Sequence, residues 1–367
     1  MVAAVMSNEP PESYLESLCA AAEQCGASDL LLHEGRVPFV RVGGRLVGLD
    51  AGFLDRGFFD DLWRMTGASE KALDFDAGFV SEGGVRFRVN LLTSLGRRGA
   101  VLRRIPAQIP ELDSLGVPSE ILREWGGARS GLILVCGAAG SGKSTTLAAL
   151  LDWMNVTSAR HVVTIEDPIE FSFTDQQCLF TQREVGIDTP SFGEGLRRAL
   201  RQNPDVIFIG EIRDAGAATT ALQASETGHL VLATLHSATA PEAVERLESL
   251  FPPEARDGIR RTLAAQLLGI LCQKLLPAVD GCQALAVEFL SNLGAPTKYI
   301  AEGRIPELAD AIARGDGRST RGFLSSLAEL VRAGRVTEET ALSAASSPQE
   351  LQRILRGVVS SSATTRR

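Results

Sequence analysis

The stretch Leu132-Ile-Leu-Val-Cys136-Gly137-Ala-Ala-Gly140-Ser141-Gly142-Lys143-Ser144 sets the architecture of the chain. Five apolar residues in a row, with no polar alternation, predict a strand buried on both faces, as in a parallel sheet. The run passes directly into G-x-x-x-x-G-K-S, and a helical pattern over residues 145–154 follows. Glycines there let backbone N–H groups turn inward around phosphate oxygens, and the helix presents its positive end to the same anion. Gly137, Gly140, Ser141, Gly142, Lys143, Ser144 and Thr145 are therefore the candidate nucleotide-binding positions. Lys143 is expected to reach the β- and γ-phosphates, and the Ser144 hydroxyl to hold Mg²⁺. The competing reading is a chance glycine-rich turn, which the strand–loop–helix context disfavours.

Further short apolar runs occupy residues 162–165, 206–209 and 230–232, with helical patterns between them. Buried strands alternating with helices predict a parallel α/β domain over residues 121–358. Its helices carry start signals: Ser191 with Glu194 and Thr239 with Glu242 match the capping box, and Asp214 is a cap for a helix ending before Gly228. The last third reads as helical over 256–276, 323–332 and 348–355, the last with Ser347 as cap and Pro348 at its first position.

A phosphate loop needs carboxylates on a neighbouring strand end, because open α/β sheets bind ligands along that edge. Asp205-Val-Ile-Phe-Ile-Gly-Glu211 supplies one: Glu211 follows an apolar strand and is a candidate to orient Mg²⁺ or the attacking water. Glu166-Asp167-Pro168-Ile169-Glu170 supplies three more acids, bent by a proline, suited to water activation beside a metal–nucleotide complex. Thr227-Gly228-His229 and Thr234-Leu235-His236 bracket one apolar strand. A strand-end histidine can sense a γ-phosphate by hydrogen bond; a purely structural backbone-bonded histidine is the alternative, above all for His229.

Residues 12–105 read as a separate α+β domain. Helical patterns at 13–25 and 54–65 alternate with short strands, and Gly43-Gly44 signals a hairpin. Val85-Arg86-Phe87-Arg88-Val89-Asn90-Leu91 alternates strictly, predicting one buried face and one open face bearing Arg86 and Arg88. Arg103 lies near the end of the next strand. Pro106, Pro110 and Pro118 punctuate residues 106–120, which are expected to be a linker.

Composition agrees with an ordinary globular protein: 44% of the 367 residues are hydrophobic and 22% charged. At ~150 residues per domain the length suggests about two domains. The net charge of −8 disfavours broad binding to nucleic acid. No apolar run reaches the ~18–20 residues of a membrane span. No basic-then-apolar leader is visible, so a cytosolic protein is expected, with polar tails at 1–11 and 360–367. Six cysteines at irregular spacing, with no C-x-x-C, indicate neither zinc site nor disulfide framework.

The stretch from Gln182-Arg-Glu-Val-Gly-Ile-Asp-Thr189 through Leu196-Arg-Arg-Ala-Leu-Arg-Gln-Asn-Pro-Asp-Val-Ile-Phe-Ile-Gly-Glu-Ile-Arg-Asp214 resembles the secretion-ATPase superfamily, and within it the PilT/PilU-type twitching-motility ATPases. Thr164-Ile-Glu-Asp-Pro-Ile-Glu-Phe171 is similar to that family's Asp box, Gly210-Glu-Ile-Arg-Asp214 to its atypical Walker B, and the segment from Gly228 to His236 to its His box. Gly26-Ala-Ser-Asp-Leu-Leu-Leu-His33 and Arg86-Phe-Arg-Val-Asn90 resemble parts of its N-terminal domain. The resemblance implies a PAS-like α+β domain followed by a RecA-like P-loop ATPase domain with a helical C-terminal region. It implies ATP and Mg²⁺, Glu170 as base, Glu211 as Walker B acid, and His229 with His236 as the His-box pair. Arg88 and Arg103 match arginines that reach a nucleotide, against the plainer reading of surface ion pairs.

The implied assembly is a homo-hexamer on an inner-membrane pilus platform protein, alongside related pilus motor ATPases, driving pilus retraction from the cytoplasmic side. Two departures stand out. Pro296-Thr-Lys-Tyr-Ile-Ala-Glu-Gly-Arg304 keeps little of the family's A-I-R-N-L-I-R-E-type helix, and the tetracysteine insert of the assembly and secretion ATPases is missing. A type II/IV secretion ATPase and a nucleotide-binding accessory subunit with little turnover remain as alternatives.

Overall fold

The computed structural model describes residues 11–105, 108–315 and 317–357. Apart from Pro11, which opens a helix, the expected tails lie outside those residues. The chain packs as two compact units. The first runs up to Gln108 and includes the short segments Pro168–Phe173 and Gly186–Asp188; the second takes the remainder from Ile109 onward.

Within the first unit the strands are β1 (Asp29–His33), β2 (Phe39–Val42), β3 (Arg45–Gly48), β4 (Asp74–Val80), β5 (Arg86–Ser94) and β6 (Arg97–Arg104). They form one antiparallel sheet in the order β3-β2-β1-β6-β5-β4, with the Gly43-Gly44 hairpin joining β2 to β3. The alternation in β5 is realised: Phe87, Val89 and Leu91 are buried while Arg86, Arg88 and Asn90 face the other side. Helices Pro11–Gln24 and Arg56–Met65 cover the apolar face, and Leu18, Phe59 and Trp63 join Phe87, Val89, Leu91 and Leu102 in one core. Each such large apolar side chain contributes about 1.5–3 kcal/mol by leaving water. Asp55 caps the second helix by accepting from the Phe58 N–H at 2.9 Å, which fixes where that helix begins.

The second unit is built on β7 (Gly131–Cys136), β8 (His161–Glu166), β9 (Leu179–Glu184), β10 (Val206–Ile209), β11 (Leu230–Leu235), β12 (Leu267–Pro277), β13 (Gln283–Ser291) and β14 (Thr320–Arg321). Its sheet runs β14-β13-β12-β7-β11-β10-β8-β9. From β12 to β9 every neighbour is parallel, while β13 and β14 are added antiparallel. All six residues of β7 and of β11 are buried, as runs without alternation require when helices cover both faces.

The helical reading of 256–276 is corrected here. The helix Arg256–Gln266 stops at Leu267, and Leu267–Pro277 is the long strand β12, paired with β7 on one side and β13 on the other. A short apolar run fits a buried strand and a buried helix equally well by periodicity. Gly269 marks the difference: a side chain there would collide with the Trp125 ring, so this strand passes a bulky neighbour at backbone distance. β13 and β14 follow in the same region, so the part of the chain after residue 256 is mixed rather than helical. Helices Phe323–Arg332 and Pro348–Leu355 fall where expected. The Ser191, Asp214 and Thr239 side chains cap their helices by accepting from the N–H groups of Glu194, Ala217 and Glu242. The cysteines are free thiols, with Cys282 exposed. Among the described residues no helix is long and apolar enough to cross a membrane.

Candidate functional site

Parallel strands aligned in register bring their C-terminal ends to one edge, and the candidate residues of the second unit collect there. Cys136 at the end of β7 is level with Leu235 of β11, so the loop from Gly137 and His236 leave the sheet side by side. β10 lies one strand further out, and Ile209 is level with Ile165 of β8. Glu211 therefore emerges about 10 Å to the side of the phosphate loop, two strand spacings away, and Asp167 one spacing further.

The loop is shaped by backbone that only glycine adopts freely. Gly137, Gly140 and Gly142 have φ of 145°, 74° and 89°. At Gly137 an added Cβ would strike the Ser141 side chain and come within 2.6 Å of the Gln273 carbonyl, so the turn is closed to any other residue. The helix Lys143–Thr157 starts from Gly142 without a side-chain cap, which leaves its first N–H groups for an anion. Lys143 is buried and its Nζ donates to the carbonyls of Gly137 and Ala138, both at 2.9 Å. The amine is thus held over the loop, where an anion seated on the N–H groups would meet it. Ser141 Oγ is buried with no protein partner among the described residues. An orphaned hydroxyl inside a glycine cradle fits a phosphate oxygen, which supplies the missing acceptor. Ser144 and Thr145 sit half-buried in the first turn.

Gln273 carries no sequence signal of a role. Its Nε2 donates to Thr146 Oγ1 at 2.7 Å, tying β12 to the first turn of that helix. Behind the loop, a cavity of about 850 Å³ is lined by Gly137–Ser141, Gln273, Glu288 and Phe323 among others. Glu288 accepts from the backbone N–H groups of Ala240, at 2.7 Å, and Phe323. Burial pushes its carboxyl up to about 7, despite those two bonds, and Glu242 adds to the rise.

Around the acids the geometry is specific. Glu211 Oε2 accepts from Arg213 Nε at 2.7 Å, and Glu211 Oε1 lies 3.4 Å from His236 Nε2. Asp167 Oδ2 accepts from Arg213 Nη1 at 3.1 Å. The Arg213 guanidinium lies over the Phe192 ring, 5.6 Å from its centroid. The three acids at the C-terminal end of β8 divide. Glu166 is buried and accepts from Thr164 Oγ1 at 2.7 Å and Gln182 Nε2 at 3.3 Å. Asp167 faces Arg213, and Glu170 is exposed and belongs to the first unit.

His229, grouped with His236 in the sequence, does not lie beside it. It precedes β11, so it stands at the opposite edge of the sheet, a six-residue strand or ~20 Å from His236. Its carbonyl accepts from Gly131 N at the start of β7, and its Nδ1 lies 3.0 Å from the Ala224 carbonyl and 3.2 Å from Thr227 Oγ1. A side chain engaged there has no route to a phosphate held by the same chain's loop. Arg88 and Arg103 lie in the first unit as direct cross-strand neighbours. Each has an acid beside it: Asp76 lies 3.6 Å from Arg88, and Asp29 accepts from Arg103 Nε at 2.8 Å. Burial pushes the Asp29 carboxyl up, but bonds from Arg103 and Ser28 outweigh it and hold the group below the usual range.

The family model for type II/IV secretion system proteins matches residues 77–345. The type IV pilus retraction ATPase PilT of Pseudomonas aeruginosa is 37% identical over 91% of this chain and 98% of its own. The type IV pilus ATPase PilU of the same organism is 36% identical over 93% and 91%. Among solved structures, the pilus retraction motor PilT with bound ADP superposes with a TM-score of 0.83 at 39% identity, covering 92% of this chain and 99% of that one. The Legionella pneumophila ATPase DotB gives 0.80 at 27% identity, over 98% and 99%.

Proposed function

The chain belongs to the type II/IV secretion system protein family, on the side of PilT and PilU, and we propose that it is a Mg²⁺-dependent ATP hydrolase powering type IV pilus retraction. The observation that carries this reading is the convergence at one sheet edge of a glycine cradle, a buried lysine and an acid with a histidine beside it. Phosphoryl transfer needs little covalent chemistry from a protein; positioning and charge neutralisation carry it. Lys143 Nζ and the N–H groups of the first helical turn bind the phosphate oxygens. Ser144 and Glu211 are the residues that would hold Mg²⁺, which supplies charge neutralisation on the transferred group when bound. His236 Nε2 orients Glu211 Oε1. Glu170 takes the proton of the attacking water on its carboxylate, and Arg88 and Arg103 stabilise charge developing on the γ-phosphoryl. We assign the working form to a homo-hexamer on the cytoplasmic face of the inner membrane, docked on a pilus platform protein beside related motor ATPases.

A second reading, a secretion-system ATPase of the same fold, draws support from the DotB likeness. The purified chain should release phosphate from ATP only when Mg²⁺ is present, and a strain lacking it should keep surface pili while losing twitching. Hydrolysis with unchanged twitching favours the secretion reading. Absence of hydrolysis in the assembled protein overturns the motor.

A further inference from the structure

Arg213, inside the stretch Gly210-Glu-Ile-Arg-Asp214, bridges two of the acids at the sheet edge. Glu211, Ile212 and Arg213 follow β10, with Ile212 buried and the Ile212 N–H bonded to the Thr234 carbonyl at 3.1 Å. The Glu211 and Arg213 side chains meet on one side of this segment. The guanidinium bonds Glu211 through Nε and Asp167 through Nη1, and Phe192 supports its flat face. It occupies the place between two carboxylates that a hard cation would otherwise favour.

We propose that Arg213 is a positioning residue that makes metal entry depend on nucleotide. The proposal rests on the reading above in which Glu211 is a metal ligand. A fixed positive charge within hydrogen-bond distance of both acids repels a free divalent ion and offers it no vacant carboxylate pair. Among the described residues, no cluster of three or more His, Cys, Asp or Glu side chains suits a metal. An ion arriving with phosphate oxygens already attached needs only one protein carboxylate, and its phosphates compensate the positive charge of Arg213. Mg²⁺ commonly binds in that manner, through one or two carboxylates plus substrate phosphates. Arg213 therefore keeps Glu211 and Asp167 apart and oriented while no nucleotide is present, and it keeps the site from filling with metal alone.

The test uses the full chain and Mn²⁺ alone, followed by loss of the free-ion paramagnetic resonance signal. Wild type should take up Mn²⁺ at this site only weakly without nucleotide. Arg213→Gln should bind one Mn²⁺ per chain at least about tenfold more tightly, since removing a charge at contact distance changes the Coulomb energy by well over that factor. Combining it with Glu211→Gln should abolish the gain. Arg213→Lys keeps a point charge without the two-armed fork, so its uptake should stay near wild type. If Arg213→Gln fails to fold, Phe192→Leu frees the guanidinium without changing charge and should give intermediate uptake. A folded Arg213→Gln chain with wild-type Mn²⁺ uptake overturns the proposal. Mn²⁺·ADP affinity unaltered in Glu211→Gln would instead remove Glu211 as a metal ligand, and this proposal falls with that assignment. If Glu211→Gln weakens Mn²⁺·ADP binding while Arg213→Gln gains no Mn²⁺, only the role of Arg213 is lost.

Discussion

His236 and His229 lie at the two ends of one six-residue strand, and their surroundings differ in kind. At the C-terminal end, His236 is exposed and faces a carboxylate, beside a loop built for an anion. At the N-terminal end, His229 closes a turn with backbone and hydroxyl partners. A parallel sheet has one edge where strands finish and helix N-termini begin, and that polarity concentrates positive ends and free side chains there. One strand's length is enough to set the two histidines ~20 Å apart, at opposite edges of the sheet. The same contrast runs through the acids, since Glu166 is saturated and buried while Asp167 and Glu211 meet Arg213.

The largest expected effect lies at the chemical edge. Lys143→Ala should reduce phosphate release to background and weaken nucleotide binding measured by calorimetry, because it removes the cation built into the loop. Thermal unfolding should move little, since its Nζ bonds loop carbonyls rather than the core. Glu170→Gln should cut turnover by about 10²–10⁴ while ATP stays bound, the range over which a general base contributes. Normal hydrolysis in that variant would shift the base to Asp167 or Glu211, because Glu166 is already engaged.

Glu288 extends the contrast to stability. In the folded chain its carboxyl is pushed up to about 7, from an ordinary value of 4.5. The native state therefore holds more protons, and the stability this group confers is present below 4.5 and is lost as pH rises through 7. Glu288→Gln should flatten that dependence. Relative to wild type it should gain roughly 1–3 kcal/mol between about pH 5 and pH 8 in denaturant titrations, since each tenfold change in proton affinity is worth ~1.4 kcal/mol. An unchanged pH dependence would place the carboxyl in contact with water.

Smaller effects are expected in the first unit. Arg103→Ala leaves Asp29, which is 5% exposed, without its closest arginine, and should cost about 1 kcal/mol after allowance for the solvent around the arginine. Arg88→Ala, whose partner is longer and more exposed, should cost less than about 0.5 kcal/mol. If the arginines act on nucleotide, both variants should also lose turnover out of proportion to these changes. Lost stability with wild-type turnover would leave them as ion pairs.

Much of this was legible in the chain. The run into Gly137-Ala-Ala-Gly-Ser-Gly-Lys143 spells strand, loop and helix because each signal is local: unbroken apolar residues, required glycines, a helix start. The alternation of β5 likewise needs no tertiary information. What escaped was set by neighbours. β12 is a strand because β7 and β13 flank it and Trp125 leaves no room at Gly269. Arg213 and Gln273 gain their roles from partners 46 and 127 residues away in sequence. The two histidines are grouped by sequence proximity, whereas the direction of β11 separates them.

Turnover of His236→Ala and His229→Ala, assayed side by side with saturating ATP and Mg²⁺, is the direct test of the sheet's polarity. Loss of the group that orients Glu211 should lower turnover by about 10²–10³, the usual consequence of removing a preorganised polar contact at a reacting centre. His229→Ala should stay within about fivefold of wild type, since it disturbs a turn whose remaining backbone bonds persist. A His229 variant as inactive as the His236 variant, or more so, would contradict the assignment of chemistry to the C-terminal end of β11 rather than its start.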